Sequence, residues 1–584
     1  MDSQQKQHTV LRLSKYLLHF RLLLLLALAM TIISNALALM GPLLSGFAVD
    51  AISPAMSPAQ FKTVFTCAAW MVLFYTVSSI LSYSLSAVMV RIGRKVVYQM
   101  RMDVFDRMLS LPTSYYDQHQ TGDIISRISY DIDTINESLS HDLIQLFTTL
   151  ITVTGALGMM LSISPRLVLV FAVTVPGSIL FAKYRASVTR PLFAARSASL
   201  GKLNGFCEEM VTGQKTIKAY CAEEEVIRRF EEKNRNAAES YYKAEFYASI
   251  TGPSVNFINN LSLSMISVFG AFLYITGTLS LGQISSFILY SRKFSGPINE
   301  AATIISDFQS ALAAASRVFQ LLDEDLEPAD KESALVLGQD APVAGDVALS
   351  HVSFGYKKDA PILKDLSLHA SPGSMIAIVG PTGAGKTTLI NLLMRFYDAD
   401  SGTIRIDGLP IETITRKSLR NSYAMVLQDT WLFEGTIFEN LAYGKPDAAM
   451  EDVIRAAKAG KIDSFIEQLP NGYDTILKED GSNISKGQKQ LLTIARAMLL
   501  DAGMLILDEA TSNVDTRTER EIQAAMRRLM EHKTCFVIAH RLSTIQEADW
   551  ILVIDHGQIA EQGTHDSLLK KQGLYYQMYQ AQFQ

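Results

Sequence analysis

The sequence predicts an all-α polytopic membrane domain joined to a soluble α/β domain. Three observations carry this: long charge-free tracts confined to the first half, short apolar runs bounded by turn residues in the second, and one glycine-rich loop between such a run and a helical pattern. At 584 residues the chain is too long for one core, and about 150 residues per domain suggests three or four units.

The tracts 22–49, 63–90, 143–164 and 167–182 carry no charge, and 246–291 is long enough for two passes if the chain turns at Gly277–Gly282. A spanning helix needs roughly 20 apolar residues. Six transmembrane helices are therefore expected, the sixth running on from about Gln283. The first tract is not read as a cleaved signal, because no small-residue cleavage site follows it and further spans do. Lys6, Arg12, Lys15 and Arg21 precede the first tract and Arg91, Arg94, Lys95 and Arg101 follow the second, while the loop near Ser53 carries only Lys62. Basic residues mark the cytoplasmic side, so the expectation is a multi-pass plasma-membrane protein with cytoplasmic N- and C-termini. The inner connections, 91–142 and 183–245, each exceed 50 residues and are helical in pattern. They would form long cytoplasmic extensions of the bundle.

From about Asp323 to Gly345 the chain is polar, acidic and proline-bearing, which reads as a linker. The expected organisation is a transmembrane domain over 1–322, the linker over 323–345 and a soluble domain over 346–584. In the last part "VALSHVSF", "MIAIVG", "MLILD", "CFVIAH" and "WILVID" read as strands, alternating or continuously apolar. The net charge of −5 leaves no nucleic-acid footprint. Cys67, Cys207, Cys221 and Cys535 have no metal-ligand spacing and are read as reduced thiols.

The loop Gly380, Pro381, Thr382, Gly383, Ala384, Gly385, Lys386, Thr387, Thr388 fits G-x-x-x-x-G-K-[ST] between the strand "MIAIV" and the helical run "LINLLMRF". Backbone N–H groups of such a loop cradle phosphates, its lysine reaches the terminal phosphates and its hydroxyl ligates Mg²⁺. Downstream, "MLILDEA" ends a buried strand in Asp508 and Glu509, placed to hold a metal shell and to activate water, and "CFVIA" delivers His540.

In chain order, Tyr356 in "FGY", the phosphate loop, Gln428 in "VLQD", "ISKGQ", "ILDEA", "SNVD" and His540 resemble the motifs of an ATP-binding cassette (ABC) domain. Six spans ahead of such a cassette resemble a half-transporter of the ABC exporter type, and the α/β part then implies a P-loop ATPase domain of the ABC type. The resemblance implies that Tyr356 stacks on adenine, Gln428 and Asp508 approach Mg²⁺, Glu509 is the catalytic base, His540 contacts the γ-phosphate and Asp515 lies in the loop crossing the dimer interface. It implies ATP and Mg²⁺ as cofactors. It also implies a second half-transporter as partner, because each ATP lies between one chain's phosphate loop and the other chain's signature turn, here Ser485, Lys486, Gly487 and Gln488. Short helices near Pro112–Asp123 and Gly213–Glu225 would couple the loops to the cassettes.

The common signature is L-S-G-G-Q. Here Ile484 replaces leucine and Lys486 stands where a small residue is usual, beside a retained Glu509 and His540. That combination resembles one subunit of heterodimeric multidrug-type exporters with one degenerate site; a homodimer with two active sites and a siderophore-type importer are the alternatives. Arg292 and Lys293 fall inside the sixth span, where a charge is costly unless it faces protein or water. With Glu300, Asn256 and Asn260 they form a candidate substrate cavity, or else bonds that hold the bundle together. The cargo, a small molecule, lipid or short peptide, is left open.

Overall fold

The computed structural model describes residues 3–52, 58–339, 341–357, 360–428, 430–508, 516–539 and 542–583. It divides into two compact units, 1–109 with 121–324 and 110–120 with 325–584.

The first unit is helical throughout its described residues. After a helix at Ser3–Leu18 come Arg21–Asp50, Pro58–Ser110, a run from Thr121 to Ile163, Pro165–Thr212, a run from Glu223 to Ile275, and Leu281–Asp323. At 1.5 Å per residue the longest of these reach about 70–80 Å, more than twice the hydrocarbon thickness. Among the described residues five are long and apolar enough to cross a membrane, and only 11–22% of each apolar window is buried. Leu22, Phe65, Val72, Val173 and Phe272 point outward. A water-exposed apolar surface of that extent would aggregate, whereas lipid satisfies it. The sixth expected span corresponds to Leu281–Asp323, which does not meet the same apolarity test; Arg292 and Lys293 interrupt its first 18 residues.

Polar bonds fix neighbouring helices where no hydrophobic force acts between them. The Ser286 hydroxyl donates to Pro42 O at 2.8 Å and the Tyr290 hydroxyl to Leu39 O at 2.6 Å. One acceptor is the carbonyl of the proline inside the first long helix, and the other lies three residues before it. Asp50, at the end of that helix, accepts from Ser280 Oγ and from Gly282 N, each at 2.6 Å, and so ties down the start of the last one.

The second unit contains strands β1 Val347–Phe354, β2 Leu363–Ala370, β3 Met375–Val379, β4 Ser401–Ile406, β5 Leu409–Pro410, β6 Tyr423–Val426, β7 Gly435–Thr436, β8 Ile476–Leu477, β9 Met504–Asp508, β10 Thr534–Ile538, β11 Trp550–Asp555 and β12 Gln558–Gly563. One antiparallel sheet runs β2-β1-β4-β5; a second runs β12-β11-β3-β10-β9-β6 and is parallel except for β12. The central strands are nearly continuous apolar runs, with polar residues only at their ends, because both faces are covered. Leu505, Leu507 and Val537 join the core on one side, Ile506, Phe536 and Ile378 the core on the other.

The acidic segment expected to be a linker is stapled to this unit. Arg416, 8% exposed, lies between Asp330 at 3.0 Å, Asp398 at 3.3 Å and Glu327 at 3.6 Å, and donates to Pro328 O at 2.7 Å. Arg420 pairs with Glu327, and Leu335 bridges to Ile414. Two of the carboxylates that make the segment look solvated, Glu327 and Asp330, are spent on arginines far along the chain.

Candidate functional site

Parallel strands leave all their C-terminal ends on one edge, and that edge is where an open α/β sheet binds ligands. β3 leads there into the phosphate loop, β6 into Gln428 two residues on, and β9 ends at Asp508. β10 lies between β3 and β9, with Ile538 opposite both Ile378 and Asp508. Glu509, Asp515 and His540 fall outside the described residues, as does the side chain of Glu300.

The loop is shaped by glycines that nothing else could replace. Gly380 has φ +153°, and a Cβ there would lie 2.1 Å from Ile554 O. Gly385, at φ +104°, opens the helix Lys386–Leu393 with no side-chain cap. Its first-turn N–H groups are therefore left for a ligand, and the helix dipole favours an anion there. Lys386 Nζ donates to Gly380 O at 2.8 Å and Pro381 O at 3.0 Å, folding the ammonium across the loop. Burial pushes Lys386 below the ordinary lysine range, opposed by the Asp508 carboxylate. A cation held against its own desolvation beside an N–H cradle suits phosphate, whose charge would restore it.

Pro381, Thr382, Gly383 and Thr387 are exposed along the loop, while Ala384, Gly385 and Thr388 are buried. Thr387, Gln428 and Asp508 supply hydroxyl, amide and carboxylate oxygens, the donor set Mg²⁺ accepts. Tyr356 packs edge-on to Phe354 (centroids 5.1 Å) and Tyr397 (5.0 Å). Its hydroxyl donates to Thr388 Oγ1 at 3.3 Å and accepts from Asn391 Nδ2 at 3.1 Å. Two bonds thus fix the ring to the phosphate-loop helix while 41% of the residue stays exposed.

At the signature turn Ser485 caps the helix Lys486–Leu500. Ser485 Oγ accepts from Gln488 N at 3.3 Å and Gln488 Oε1 accepts from Ser485 N at 2.8 Å. This reciprocal box is written in the sequence as S-x-x-Q, a helix-start pattern that the signature resemblance does not use. Lys486 occupies the exposed first helical position and Gly487 is buried.

In the membrane unit, Arg292, Asn256 and Asn260 are exposed and Lys293 is half-buried. A cavity of about 550 Å³ in this unit lies elsewhere, lined by Lys6, Asp142, Leu146, Ile304, Phe308 and Leu312 among others. It includes neither Arg292 nor Lys293. No period or motif marks Lys6 or Asp142 in the sequence, since they meet only through folding.

Residues 24–298 match the family described as "ABC transporter transmembrane region" and 363–512 the family described as "ABC transporter". A fatty acid ABC transporter ATP-binding/permease protein of Mycobacterium tuberculosis is 46% identical over 84% of this chain and 76% of its own length. The Bacillus subtilis ABC transporter ATP-binding protein YfiC is 41% identical over 99% and 94%, and an ATP-dependent lipid A-core flippase of Idiomarina loihiensis 40% over 84% of each. Among solved structures, a bacterial Atm1-family ABC exporter with ATP bound superposes with a TM-score of 0.78 at 31% identity, over 97% of this chain and 98% of the other.

Proposed function

The chain belongs to the ABC transporter family, as an exporter half-transporter whose membrane and ATPase domains share one polypeptide, and from that premise we propose that it exports or flips an acyl-bearing amphipath by alternating access. ATPase-coupled transport through a multi-pass membrane protein follows from the family. The cargo, the orientation, the partner and the individual roles are the proposal.

The observation that carries it is the sheet edge where Lys386, Gln428 and Asp508 converge, in one chain with helices whose apolar faces require lipid. In our reading Lys386 and the loop N–H groups hold the phosphates, Tyr356 stacks on adenine, and Thr387, Gln428 and Asp508 hold Mg²⁺. The ion when bound neutralises phosphate charge. Glu509 deprotonates the attacking water, His540 contacts the γ-phosphate and Asp515 faces the partner. Two fatty-acid and lipid-A relatives and the apolar cavity with Lys6 and Asp142 in its wall support a charged headgroup on an acyl chain. The basic residues around the first two spans support cytoplasmic termini in the plasma membrane.

Lys486 beside a retained Glu509 supports a heterodimer in which this chain's own ATP is hydrolysed and its ISKGQ turn faces a partner site that mainly holds ATP. A homodimer is favoured by one observation: the Ser485–Gln488 box is intact, and Lys486 adds positive charge to an anion site rather than deforming it. The helix Gln214–Ala219 buries none of its residues within this chain, as expected of a segment kept for a partner. The test is uptake of fluorescent lipid into inside-out vesicles. ATP-driven accumulation lost in Lys386→Ala supports export, and ATP-independent equilibration refutes it.

A further inference from the structure

The helix Thr113–Gln118 interrupts the first long inner loop and falls in the same compact unit as the nucleotide site. Its Tyr115 is buried and stacks on His119 with centroids 4.2 Å apart, and Glu327 N donates to Ser110 O at 3.2 Å just ahead of it. At the exposed end of this helix Tyr397 of the cassette donates its hydroxyl to Asp117 Oδ2 at 2.5 Å.

Tyr397 is not an ordinary surface partner. Its ring is half-buried and lies edge-on to Tyr356 at 5.0 Å and tilted against Phe354 at 5.4 Å. Tyr356, in turn, is bonded through its hydroxyl to Thr388 and Asn391 of the phosphate-loop helix. One face of the exposed Tyr356 ring is thus left for a base, while the ring's position is set by Tyr397 on one side and the phosphate-loop helix on the other. Burial, together with the bond to the Asp117 carboxylate, raises the Tyr397 hydroxyl above its ordinary range, so it stays protonated and donating across physiological pH.

We propose that Tyr397 and Asp117 form a positioning pair through which the loop helix sets the base-stacking ring of the nucleotide site. The inference rests on the reading of Tyr356 as the adenine platform. A hydrogen bond to a charged group is strong and directional, and edge-to-face aromatic pairs hold their geometry. The hydroxyl therefore fixes the Tyr397 ring, and that ring fixes Tyr356. Coupling is reciprocal: if the loop helix positions the ring, a base stacked on the ring holds the loop helix. The uncapped helix start and Lys386, which would hold the phosphates, belong to residues other than this pair. The pair should act on the base part of affinity and leave the phosphate part unchanged.

The experiment uses the full chain in nanodiscs and compares a fluorescent N-methylanthraniloyl ATP with inorganic tripolyphosphate, which lacks base and ribose, as its competitor. Tyr397→Phe keeps the ring and loses the hydroxyl; Asp117→Ala loses the acceptor; Asp117→Asn keeps an acceptor. The expected result is five- to tenfold weaker ATP binding in Tyr397→Phe and in Asp117→Ala, no further loss in the double variant, recovery to within about twofold in Asp117→Asn, and unchanged tripolyphosphate affinity in all. Three results overturn the proposal: unchanged ATP affinity in the single variants, losses that multiply in the double variant, or a parallel loss of tripolyphosphate, which would mean a damaged phosphate loop. Tyr356→Ala separates the two readings. If it leaves ATP affinity intact, the adenine platform itself is wrong; if it weakens ATP while Tyr397→Phe does not, only the positioning pair is.

Discussion

Replacing Arg416 by methionine keeps most of the buried volume and removes the charge that three carboxylates share. Breaking a buried pair costs roughly 3–5 kcal/mol because the partner is left uncompensated. Here the acids are not sealed off: side-chain exposure is 28% for Glu327 and Asp330 and 49% for Asp398. Water recovers part of the loss, and Arg395 and Arg420 still pair with Asp398 and Glu327. We expect about 2–3 kcal/mol. At roughly 2–4 °C per kcal/mol for a domain of this size, the cassette transition should fall by about 5–10 °C in a thermal melt of the detergent-solubilised full chain. Adding Asp330→Asn should return at least a third of that drop, because it removes the carboxylate closest to the vacancy. A melt unchanged within 1–2 °C, or a double variant no more stable than Arg416→Met alone, would show that the acidic segment is only loosely held and that the staple reading is wrong.

Further outcomes follow from the same geometry. Gly380→Ala forces a Cβ onto Ile554 O at φ +153° and should abolish nucleotide binding, read as loss of ATP-induced thermal protection, while a wild-type response would mean the loop can shift. Glu509→Gln should leave ATP binding within about threefold and cut turnover by more than about tenfold in phosphate-release assays; retained turnover would remove it as the base. Lys486→Gly should raise turnover severalfold if the chain works as a homodimer and change it by less than twofold if a partner completes the active site. Burial, with Asp549 adding to it and Lys533 opposing, pushes the Cys535 thiol up to about 12. Native alkylation at pH 8 should therefore label exposed Cys221 and spare Cys535. Its folded value lies above the ordinary thiol value of 9.0, so its contribution to stability is full below about pH 9 and is lost as the pH rises towards 12. Rapid labelling of Cys535 at pH 8 would contradict its place in the core.

The strands "VALSHVSF" and "MLILD" were legible residue by residue, at 347–354 and 504–508, because burial on one or both faces writes a period into the sequence. The phosphate loop was legible for a related reason: its φ values and close approaches admit only glycine, so the motif is the geometry. The staple was not legible, since an acidic run looks the same in solvent as it does against Arg395, Arg416 and Arg420. The bond between Asp117 and Tyr397 joins residues 280 apart and leaves no local pattern. The sixth span was read through its charges as if they were exceptions; the folded helix carries Arg292 on an exposed face and Lys293 half-buried, and its apolarity stays below that of the other five.

ATP-driven movement of lipid across a sealed bilayer tests the account most directly. With the purified transporter in proteoliposomes and a set of short-chain fluorescent phospholipids and fatty acids, dithionite quenching reports transbilayer movement. The account predicts movement accelerated by MgATP for at least one probe and reduced to the protein-free rate in Lys386→Ala and Glu509→Gln. Wild-type ATP hydrolysis with no movement of any amphipathic probe, or movement that persists without ATP and in both variants, would contradict it.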